Sequence, residues 1–420
     1  MTKSHKILHL FEGVGIELEY MIVHRNSLQV MPMCDLVLEK VAGNLSGDFC
    51  NGSINWSNEI VQHVIELKTN GPASQWDKLS ADFHANVCQI NRLLNDYQAM
   101  LLPGGAHLTM NPLTETVIWP HANNIIYELY NRIFDCRGHG WSNLQSMHIN
   151  LPFSGDDEFS KLHTSIRFLL PIMPALTASS PILDGRATGF ADSRLEYYRL
   201  NQSKIPCITG WVVPEAVMSK NEYQDVIFQP IIDAISPYDR SGVLDKHFLN
   251  SRGCIARFDR NAIEIRILDV QEAPLLDICI ARFIVEVLKL LVKEEWLSFS
   301  DQKSFTTVEL HYIFIDVIKT AENAKITNAN YLKCFDVEEN STSAKELWQV
   351  LFQKVSKSLP DDVACYIKAI LSEGSLSTRI IKSLNSDYSA NSLQNTYRQL
   401  ASALNDNRMF HSISKLSHPC

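Results

Sequence analysis

The sequence predicts an α+β protein, in which short strands alternate with amphipathic helices before a helical C-terminal region. Segments with alternating apolar and polar residues recur up to residue 269, and the segments 254–259 and 262–269 are separated only by Arg260 and Asn261, as in a β-hairpin. Apolar residues spaced three and four positions apart lie between these segments and indicate helices packed on a core.

The first hundred residues are predicted to contain two strands and one long helix. Residues 16–23 and 61–67 are rich in β-branched residues and alternate, which favours strands. Apolar positions from Trp76 to Leu94 recur at helical spacing after a Gly-Pro entry. Pro103, Gly104 and Gly105 should end this segment and begin a third extended piece.

The region up to residue 300 continues the alternation of strands and helices. We expect a helix at 127–134, a strand at 144–151, a helix at 159–170, a long loop at 179–194, the strand pair described above and a buried helix at 275–292. The loop is rich in Gly and Ser, and ordered loops of this length usually carry function.

The last 120 residues show helical periodicity with polar connectors. The predicted helices are 307–322, 343–359, 361–372 and 392–404. We therefore expect a catalytic domain at residues 1–300 and a helical region, 301–420, packed on it.

Composition excludes several classes of protein. The 38 basic and 47 acidic residues give a net charge of −9, which argues against a nucleic-acid partner. The most apolar segment, 278–292, contains three charged residues and is too short to span a bilayer, so no membrane partner is expected. The first thirteen residues lack a secretory apolar region, which predicts a cytoplasmic protein. There is no P-loop, Rossmann glycine motif or GxSxG motif.

Polar residues at positions i and i+2 of several predicted strands point to a metal site. Such residues lie on one face of a strand. The pairs are Glu17 with Glu19, Ser146 with His148, and Glu264 with Arg266, while Gln62, Val64, Glu66 and Lys68 are expected to share a face of their strand. Buried carboxylates on one face repel each other and need cations, and oxygen ligands suit Mg²⁺, whereas Mn²⁺ also accepts imidazole.

Each of these patterns also has an ordinary structural explanation. A single pair of glutamates usually marks a solvated sheet face, a strand histidine is usually a satisfied core or surface residue, and Glu264 with Arg266 is compatible with a simple ion pair. The repetition of the pattern on several strands favours the metal site.

Three arginines are candidates for binding phosphate or carboxylate groups, because the guanidinium group binds both in a bidentate manner. Arg194 ends the Gly- and Ser-rich loop, Arg257 lies in the first strand of the hairpin, and Arg266 follows Glu264. A structural salt bridge is the alternative for Arg257 and, less strongly, for Arg266.

Six segments in order resemble the carboxylate–amine ligases related to glutamate–cysteine ligase type 2. They are GIELEYMIV (15–23), HVIELKT (63–69), PGGAHLTMNP (103–112), QSMHINL (145–151), SSPILDGRATGFADSR (179–194) and AIEIRILD (262–269). The resemblance covers about residues 10–295. It implies a glutamine synthetase-like fold, with a curved, mainly antiparallel sheet forming a funnel.

The resemblance also implies a reaction. ATP would phosphorylate a substrate carboxylate, the γ-carboxylate of glutamate by analogy, and an amine such as cysteine would displace the phosphate to give an amide. The implied metal ligands are Glu17, Glu19, Glu59, Glu66, His148 and Glu264. The implied nucleotide- and substrate-binding positions are Ser179, Ser180, Gly189, Ser193, Arg194 and Arg266, and the candidate catalytic residues are Arg194, Arg257 and Arg266.

Two departures from the family pattern concern the metal site and the amine. Gln62 stands where a glutamate is usual, and Ser146 stands where a histidine is usual. A catalytically inactive nucleotide or amino-acid sensor, with these two residues as signs of decay, is one alternative function, and a metal-dependent hydrolase that uses the same acidic cluster is another. The identities of the amine and the carboxylate donor, the number of metal ions, the role of residues 301–420 and the oligomeric state stay open, and a homo-oligomer is compatible with the sequence.

Overall fold

A computed structural model describes residues 7–412, and its main feature is an open antiparallel sheet of eight strands. The strands are β1 (Gly15–His24), β2 (Asp48–Asn51), β3 (Ile54–Asn58), β4 (Val64–Thr69), β5 (Ala99–Leu102), β6 (Ser146–Pro152), β7 (Cys254–Arg257) and β8 (Ala262–Asp269). Their order is β2-β3-β4-β1-β6-β8-β7, and β5 pairs with residues 21–24 of β1, on the same edge of β1 as β6 and beyond its end. The predicted α+β class with a mainly antiparallel sheet is confirmed.

Strand β1 is central, and its two faces differ in character. Ile16, Leu18 and Tyr20 are fully buried in the main hydrophobic core. Glu17 and Glu19 lie on the opposite face, because successive strand residues point to opposite sides. The core is packed against one face of the sheet, which leaves the other face for polar groups.

Helices flank both faces of the sheet. The longer ones before residue 300 are Cys34–Ala42, Leu79–Asn95, Asn124–Phe134, Gly155–Leu169 and Pro274–Val292. Shorter helices are Pro112–Glu115, His139–Ser142, Pro174–Thr177, Ser193–Tyr198, Lys220–Tyr223, Gln229–Ile235 and Lys246–Leu249. The helix Pro274–Val292 is buried around most of its circumference, as its sequence predicts. Within residues 7–412, the helices include none with the length and apolar character that crossing a membrane requires.

The C-terminal helices are Phe299–Lys303, Thr307–Thr320, Ala329–Lys333, Ala344–Val355, Asp361–Glu373, Leu376–Leu384 and Ala390–Asp406. The second to fifth of these contribute to the main core, whereas Phe299–Lys303 buries the polar Gln302. The last two pack in a second apolar cluster with Met21 and Val23, which continue the β1 face of Glu17 and Glu19. These two helices therefore close one end of the polar face. A domain boundary at residue 300 stays a prediction.

Several predicted element boundaries are wrong. The strand predicted at 61–67 begins at Val64, and the helix predicted from Trp76 begins at Leu79. The third extended piece was expected to begin at Pro103 but lies before it, as β5. After Pro103 the backbone amides of Gly105 and His107 donate to side chains rather than to a neighbouring strand. The loop 179–194 contains a small hairpin whose strands, Ile182–Leu183 and Arg186–Ala187, have two residues each. The last two residues of the loop, from Ser193, begin a helix.

Candidate active site

A cavity of about 880 Å³ lies on the polar face of the sheet. Seven of the eight strands line it, and the exception is β5. The strand residues in its wall are Asp48, Ser57, Asn58, Val64, Glu66, Lys68, Glu17, Glu19, Ser146, His148, Glu264, Arg266 and Arg257. All six predicted metal ligands, including Glu59 from the segment after β3, and all three candidate arginines thus line one cavity.

Strand register brings the central acidic groups together. Glu17 lies opposite Lys68 of β4 and His148 of β6, while Glu19 lies opposite Glu66. Directly opposed residues in an antiparallel pair project to the same side with their Cβ atoms about 5 Å apart. The antiparallel pairing of β4, β1 and β6 therefore builds the centre of the site.

Two groups of side chains in this centre are close enough to hold a metal ion. Glu17, Glu66 and His148 form one group, and Glu19, Glu59 and Glu66 form the other; in each, one ligand atom per residue lies within 4.8 Å of the others. Glu66 belongs to both groups. Carboxylate oxygens with one imidazole nitrogen suit Mg²⁺ or Mn²⁺, so the residues fit the predicted divalent ions.

Hydrogen bonds from β6 orient the carboxylates of β1. His148 Nδ1 lies 2.9 Å from Glu17 Oε2, and Asn150 Nδ2 donates to Glu17 Oε1 over 3.0 Å. The backbone amide and hydroxyl of Ser146 both donate to Glu19 Oε2, over 2.7 and 2.9 Å. Ser146 stands where a histidine is usual, and here it orients Glu19, a predicted metal ligand, through these two hydrogen bonds.

Glu66 is held by two neighbours that sequence reasoning did not assign to the site. Ser57 Oγ donates to Glu66 Oε2 over 2.5 Å, and Lys68 Nζ lies 2.5 Å from the same oxygen. Lys68 shares the strand face of Glu66, a spacing visible in the sequence. Ser57 lies opposite Glu66 in the pairing of β3 with β4, which only the register reveals.

Burial and mutual repulsion shift the titration of the central groups. Burial, followed by the charge of Glu17, raises the pKa of Glu66 to about 7. Burial also raises the pKa of Glu59 well above its ordinary value, reinforced by Glu66 and Glu19. Although burial alone would favour neutral His148, its hydrogen bond to Glu17 and the surrounding carboxylates raise the pKa of the imidazole to about 9. His148 in turn outweighs the effect of burial on Glu17 and lowers that pKa. The centre therefore favours added positive charge.

Arginines border the centre on the side of β8 and β7. Arg266 donates to Glu264 Oε1 through Nε and Nη2, over 3.1 and 2.8 Å. Arg257 binds Asp259 with two hydrogen bonds and lies 3.9 Å from Glu264. Glu264 belongs to neither metal-compatible group. It forms an ion pair with Arg266, which is the alternative that the two-residue spacing also suggested.

Arg194 is anchored beneath this side by a carboxylate that the sequence did not single out. Its Nε forms a short ion pair with Asp269, which also accepts from the Ser179 amide and the Ser180 hydroxyl. Arg194 is 2% exposed, yet it lines the cavity, and its Nη2 has no hydrogen-bond partner. Gly105 packs against Asp269, where a Cβ would meet the carboxylate carbon at 2.4 Å.

The remaining predicted binding residues lie behind the cavity wall. Ser179 and Ser180 are buried around Asp269, Ser193 binds Thr188, and Gly189 is exposed in the loop; none of the four lines the cavity. Direct contact of these residues with nucleotide or substrate stays a prediction.

Gln62 does not share the strand face of Glu66, contrary to the expectation. It precedes β4, and its amide donates to Asp35 over 2.7 Å. The same carboxylate oxygen lies 2.8 Å from His121 Nε2. The side chain at position 62 therefore lies outside the cavity, whereas Glu59 lines it.

The two ends of the cavity differ in charge. Arg257, Arg260 and Arg266 line the end at β7 and β8, next to His247 and Phe248. The opposite end, at β2 and β3, is lined by residues 45–48, 58–61, Ala122, Asn123 and Tyr127. We call these the arginine end and the β2–β3 end. The polarity suits a reaction that joins an anionic substrate to a different kind of molecule.

Comparison with known proteins identifies related sequences over most of the chain. A family model described as Glutamate-cysteine ligase family 2 (GCS2) matches residues 13–389. An uncharacterized protein of Archaeoglobus fulgidus is 30% identical over 376 residues, which are 88% of this chain and 93% of that protein. A protein of Enterobacter with the name "Putative glutamate--cysteine ligase 2" is 26% identical over 217 residues. The match covers 51% of this chain and 55% of that protein.

Solved structures share the fold. A glutamate–cysteine ligase from Francisella tularensis in complex with AMP superimposes with a TM-score of 0.58 and 14% identity, covering 95% of this chain and 89% of that one. A bifunctional glutathione synthetase from Pasteurella multocida gives 0.55 and 14%, covering 93% of this chain and 53% of that one. At this identity the superpositions establish the architecture of the chain.

Proposed function

This chain belongs to the glutamate–cysteine ligase family 2 and is a carboxylate–amine ligase, and we propose that it uses ATP and Mg²⁺ to join glutamate to an amine. The product would be a γ-glutamyl-type amide. The observation that carries the proposal is the convergence of two metal-compatible carboxylate groups and three arginines on one cavity. The AMP complex of the Francisella enzyme is in keeping with an adenine nucleotide.

The central carboxylates would hold the divalent ions. Glu17, Glu66 and His148 would bind one ion, and Glu19, Glu59 and Glu66 would bind the other. Bound Mg²⁺ supplies positive charge that lets a substrate carboxylate approach the polyphosphate. Mn²⁺ is also compatible, because His148 provides a nitrogen ligand.

The arginine end would receive the anionic groups. Arg266 and Arg257 present guanidinium groups to the cavity, and Arg194 has a free Nη2. Asp269 holds Arg194 in place through Nε, and Nη1 lies 3.5 Å from the Arg266 carbonyl oxygen, so among contacts within the described chain Nη2 alone is left without a partner. Such fixed donors position phosphate and carboxylate groups and offset their mutual repulsion.

The proposed chemistry has two steps. The γ-phosphoryl group of ATP is transferred to a carboxylate oxygen of the donor, releasing ADP. The nitrogen of the amine then bonds to the acyl carbon while the carbon–oxygen bond to phosphate breaks, and a proton leaves the nitrogen. The protein contributes alignment and charge compensation, which are the main requirements of phosphoryl transfer.

Hydroxylamine provides a test that is independent of the natural amine. The protein is incubated with ATP, Mg²⁺, glutamate and hydroxylamine, and γ-glutamyl hydroxamate and phosphate are measured. We expect both products to form in equal amounts and only with glutamate present. ATP binding without turnover would favour the sensor, glutamate-independent phosphate release would favour the hydrolase, and either result would contradict the proposal.

A further inference from the structure

A second buried carboxyl group lies beside the ion pair of Arg194 with Asp269. Asp192 is fully shielded from solvent, and its carboxyl group is within hydrogen-bonding reach of Asp269. The backbone of Asp192 forms a parallel bridge with Ser180. The Ser180 hydroxyl donates to Asp269 and accepts from the Arg194 amide. Two acidic side chains thus accompany one guanidinium group behind the cavity wall.

The hydrogen bonds of the two acids indicate which one is ionised. Asp269 accepts from Arg194 Nε, from a backbone amide and from a serine hydroxyl. Asp192 Oδ1 accepts from the Leu195 amide over 2.8 Å, and no described residue donates to its Oδ2. Donors and a nearby cation stabilise the charged form of a carboxyl group, whereas burial without them favours the neutral form. Asp269 is therefore the carboxylate, and Asp192 is the neutral acid.

A proton on Asp192 Oδ2 gives each atom of this carboxyl group a partner. Oδ1, as the carbonyl oxygen, keeps the bond from the Leu195 amide and caps the helix Ser193–Tyr198. Oδ2, as the hydroxyl, donates to Asp269. Burial, followed by the charge of Asp269, raises the pKa of Asp192 well above its ordinary value. The positive charge of Arg194 then faces one buried negative charge instead of two.

This arrangement affects substrate binding because Arg194 lines the cavity, and no described residue binds its Nη2. Two carboxylates beside Arg194 would give this wall a net negative charge and repel phosphate or carboxylate groups. A neutral Asp192 avoids that repulsion and orients the carboxylate that holds Nε. We propose that Asp192 is a positioning residue that acts in its protonated form, donating to Asp269 and thereby holding Arg194 toward an anionic substrate. This inference deepens the proposed function and rests on it for the identity of the substrates, ATP and glutamate.

Three substitutions of Asp192 separate this positioning role from helix capping. Asp192→Asn keeps both, because its amide nitrogen can donate to Asp269 and its oxygen can accept from the Leu195 amide. Asp192→Ser keeps the cap without the reach to Asp269, and Asp192→Ala keeps neither. Calorimetry measures the binding of ATP with Mg²⁺ and of glutamate, and hydroxamate formation gives KM and kcat.

The affinities of these variants should follow the hydrogen bond to Asp269. We expect Asp192→Asn to stay within about twofold of the wild type, and Asp192→Ser to weaken ATP or glutamate at least about fivefold, with KM changed more than kcat. Asn328→Ser and Asn328→Ala are matched controls, because Asn328 caps the helix Ala329–Lys333 and lies outside the cavity. A purely structural cap predicts equal affinities for Asp192→Ser and Asp192→Asn, and that result would overturn the inference.

Infrared spectroscopy tests the charge state of Asp192 without reference to activity. The difference spectrum between the wild type and Asp192→Asn is recorded on metal-free protein at neutral pH, and it shows which form of the carboxyl group the substitution removes. We expect the loss of the C=O stretch of a neutral carboxylic acid. Loss of carboxylate bands would contradict the inference, and this measurement decides the point even where Asp192→Ser does not fold.

The outcomes separate this inference from the proposed function. Absence of hydroxamate with the wild type contradicts the ligase activity, while the infrared spectra and calorimetry still decide the role of Asp192. A wild-type protein that binds neither ATP nor glutamate overturns that role, since Arg194 then has no anionic substrate to bind. Hydroxamate formation with equal affinities of Asp192→Ser and Asp192→Asn overturns the role and leaves the ligase activity standing.

Discussion

At the residue scale, Glu66 is the side chain on which the site depends most. It belongs to both metal-compatible groups and accepts bonds from Ser57 and Lys68. Burial and the charge of Glu17 raise the pKa of Glu66 to about 7, so nearby cations are needed to favour the ionised form of this carboxylate. These properties are expected of a bridging metal ligand rather than of a structural acid.

Replacing Glu66 tests this role. We expect Glu66→Gln to reduce ligase turnover at least about 100-fold and to lower the number of Mn²⁺ ions bound, because a ligand shared by both groups loses its charge. Folding of the metal-free protein at pH 8 should be retained, since neutral Gln relieves the repulsion by Glu17, and Lys68 keeps Glu17 as a neighbouring carboxylate. Glu39→Gln, on an exposed helix position, is the control for turnover, Mn²⁺ binding and thermal unfolding. Full Mn²⁺ binding by Glu66→Gln would exclude the bridging role.

The metal-free protein should lose stability as the pH rises. The pKa of His148 is about 9 in the fold against an ordinary 6.5, so its contribution of about 3 kcal/mol is complete below pH 6.5 and lost by pH 9. Glu66, with its pKa raised to about 7, acts in the same direction between pH 4.5 and 7. Urea unfolding in EDTA at pH 7.5, 8.2 and 9 measures this trend, above the range in which the buried His63, His107 and His163, whose pKa values are lowered by burial, act in the opposite direction. Stability that increases with pH over this range would contradict the proposed ion pairing.

At the scale of elements, the packing of loop 103–110 against β8 positions an arginine of the site. Gly105 allows the loop to approach Asp269, and Asp269 binds Arg194 together with Ser179 and Ser180. The spacing of Gly and Ser in the sequence predicted a functional loop at 179–194. The acid that organises it is remote in sequence, so local pattern could not identify it.

Substitution of Gly105 tests this support. A Cβ there would meet the Asp269 carboxylate at 2.4 to 2.7 Å, so we expect Gly105→Ala to lower stability by about 1–3 kcal/mol, as overpacking does, and to raise the KM for ATP or glutamate by displacing Arg194. Gly138→Ala is the matched control, because its Cβ would meet no atom within 4 Å. Denaturant unfolding and steady-state kinetics measure the two effects. Wild-type KM values in Gly105→Ala would show that this loop does not support substrate binding.

At the scale of the whole molecule, a buried ion pair joins the C-terminal helices to the segment after β8. Arg379, in the helix Leu376–Leu384, binds both carboxylate oxygens of Glu272 and the backbone oxygen of Phe410, and both charged side chains are almost fully buried. The Phe410 amide donates to the same carboxylate over 3.0 Å. Residues from both sides of position 300 are thus joined where the last two helices close the polar face.

Breaking this pair tests whether the chain unfolds as one unit. We expect Arg379→Met to destabilise the whole protein by about 3–5 kcal/mol, because it leaves Glu272 buried without its partner. Arg408→Met is the control, since Arg408 is exposed and pairs only with surface groups. Calorimetry and denaturant unfolding should show one shifted transition. A separate early transition for the C-terminal helices would instead support the predicted division near residue 300.

The sequence by itself determined the class of fold, most long elements and the faces of the strands. Alternation and helical spacing are local properties, so Glu17 with Glu19, Ser146 with His148 and the hairpin could be recognised without a structure. The short helices of 206–249 and the helix Leu376–Leu384 were not predicted, although Leu376, Ile380 and Leu384 have helical spacing. The helices of 206–249 are too short to show a periodic signal.

Only the tertiary structure decided which of these residues meet. Strand register placed Ser57 on Glu66 and Lys68 opposite Glu17, and tertiary contacts took Gln62 out of the site and brought Asp269 to Arg194. The charge difference between the two ends of the cavity arises in the same way, because it depends on which strands lie at the edges of the sheet. Local pattern predicts the direction of a side chain, whereas non-local pairing selects its neighbours.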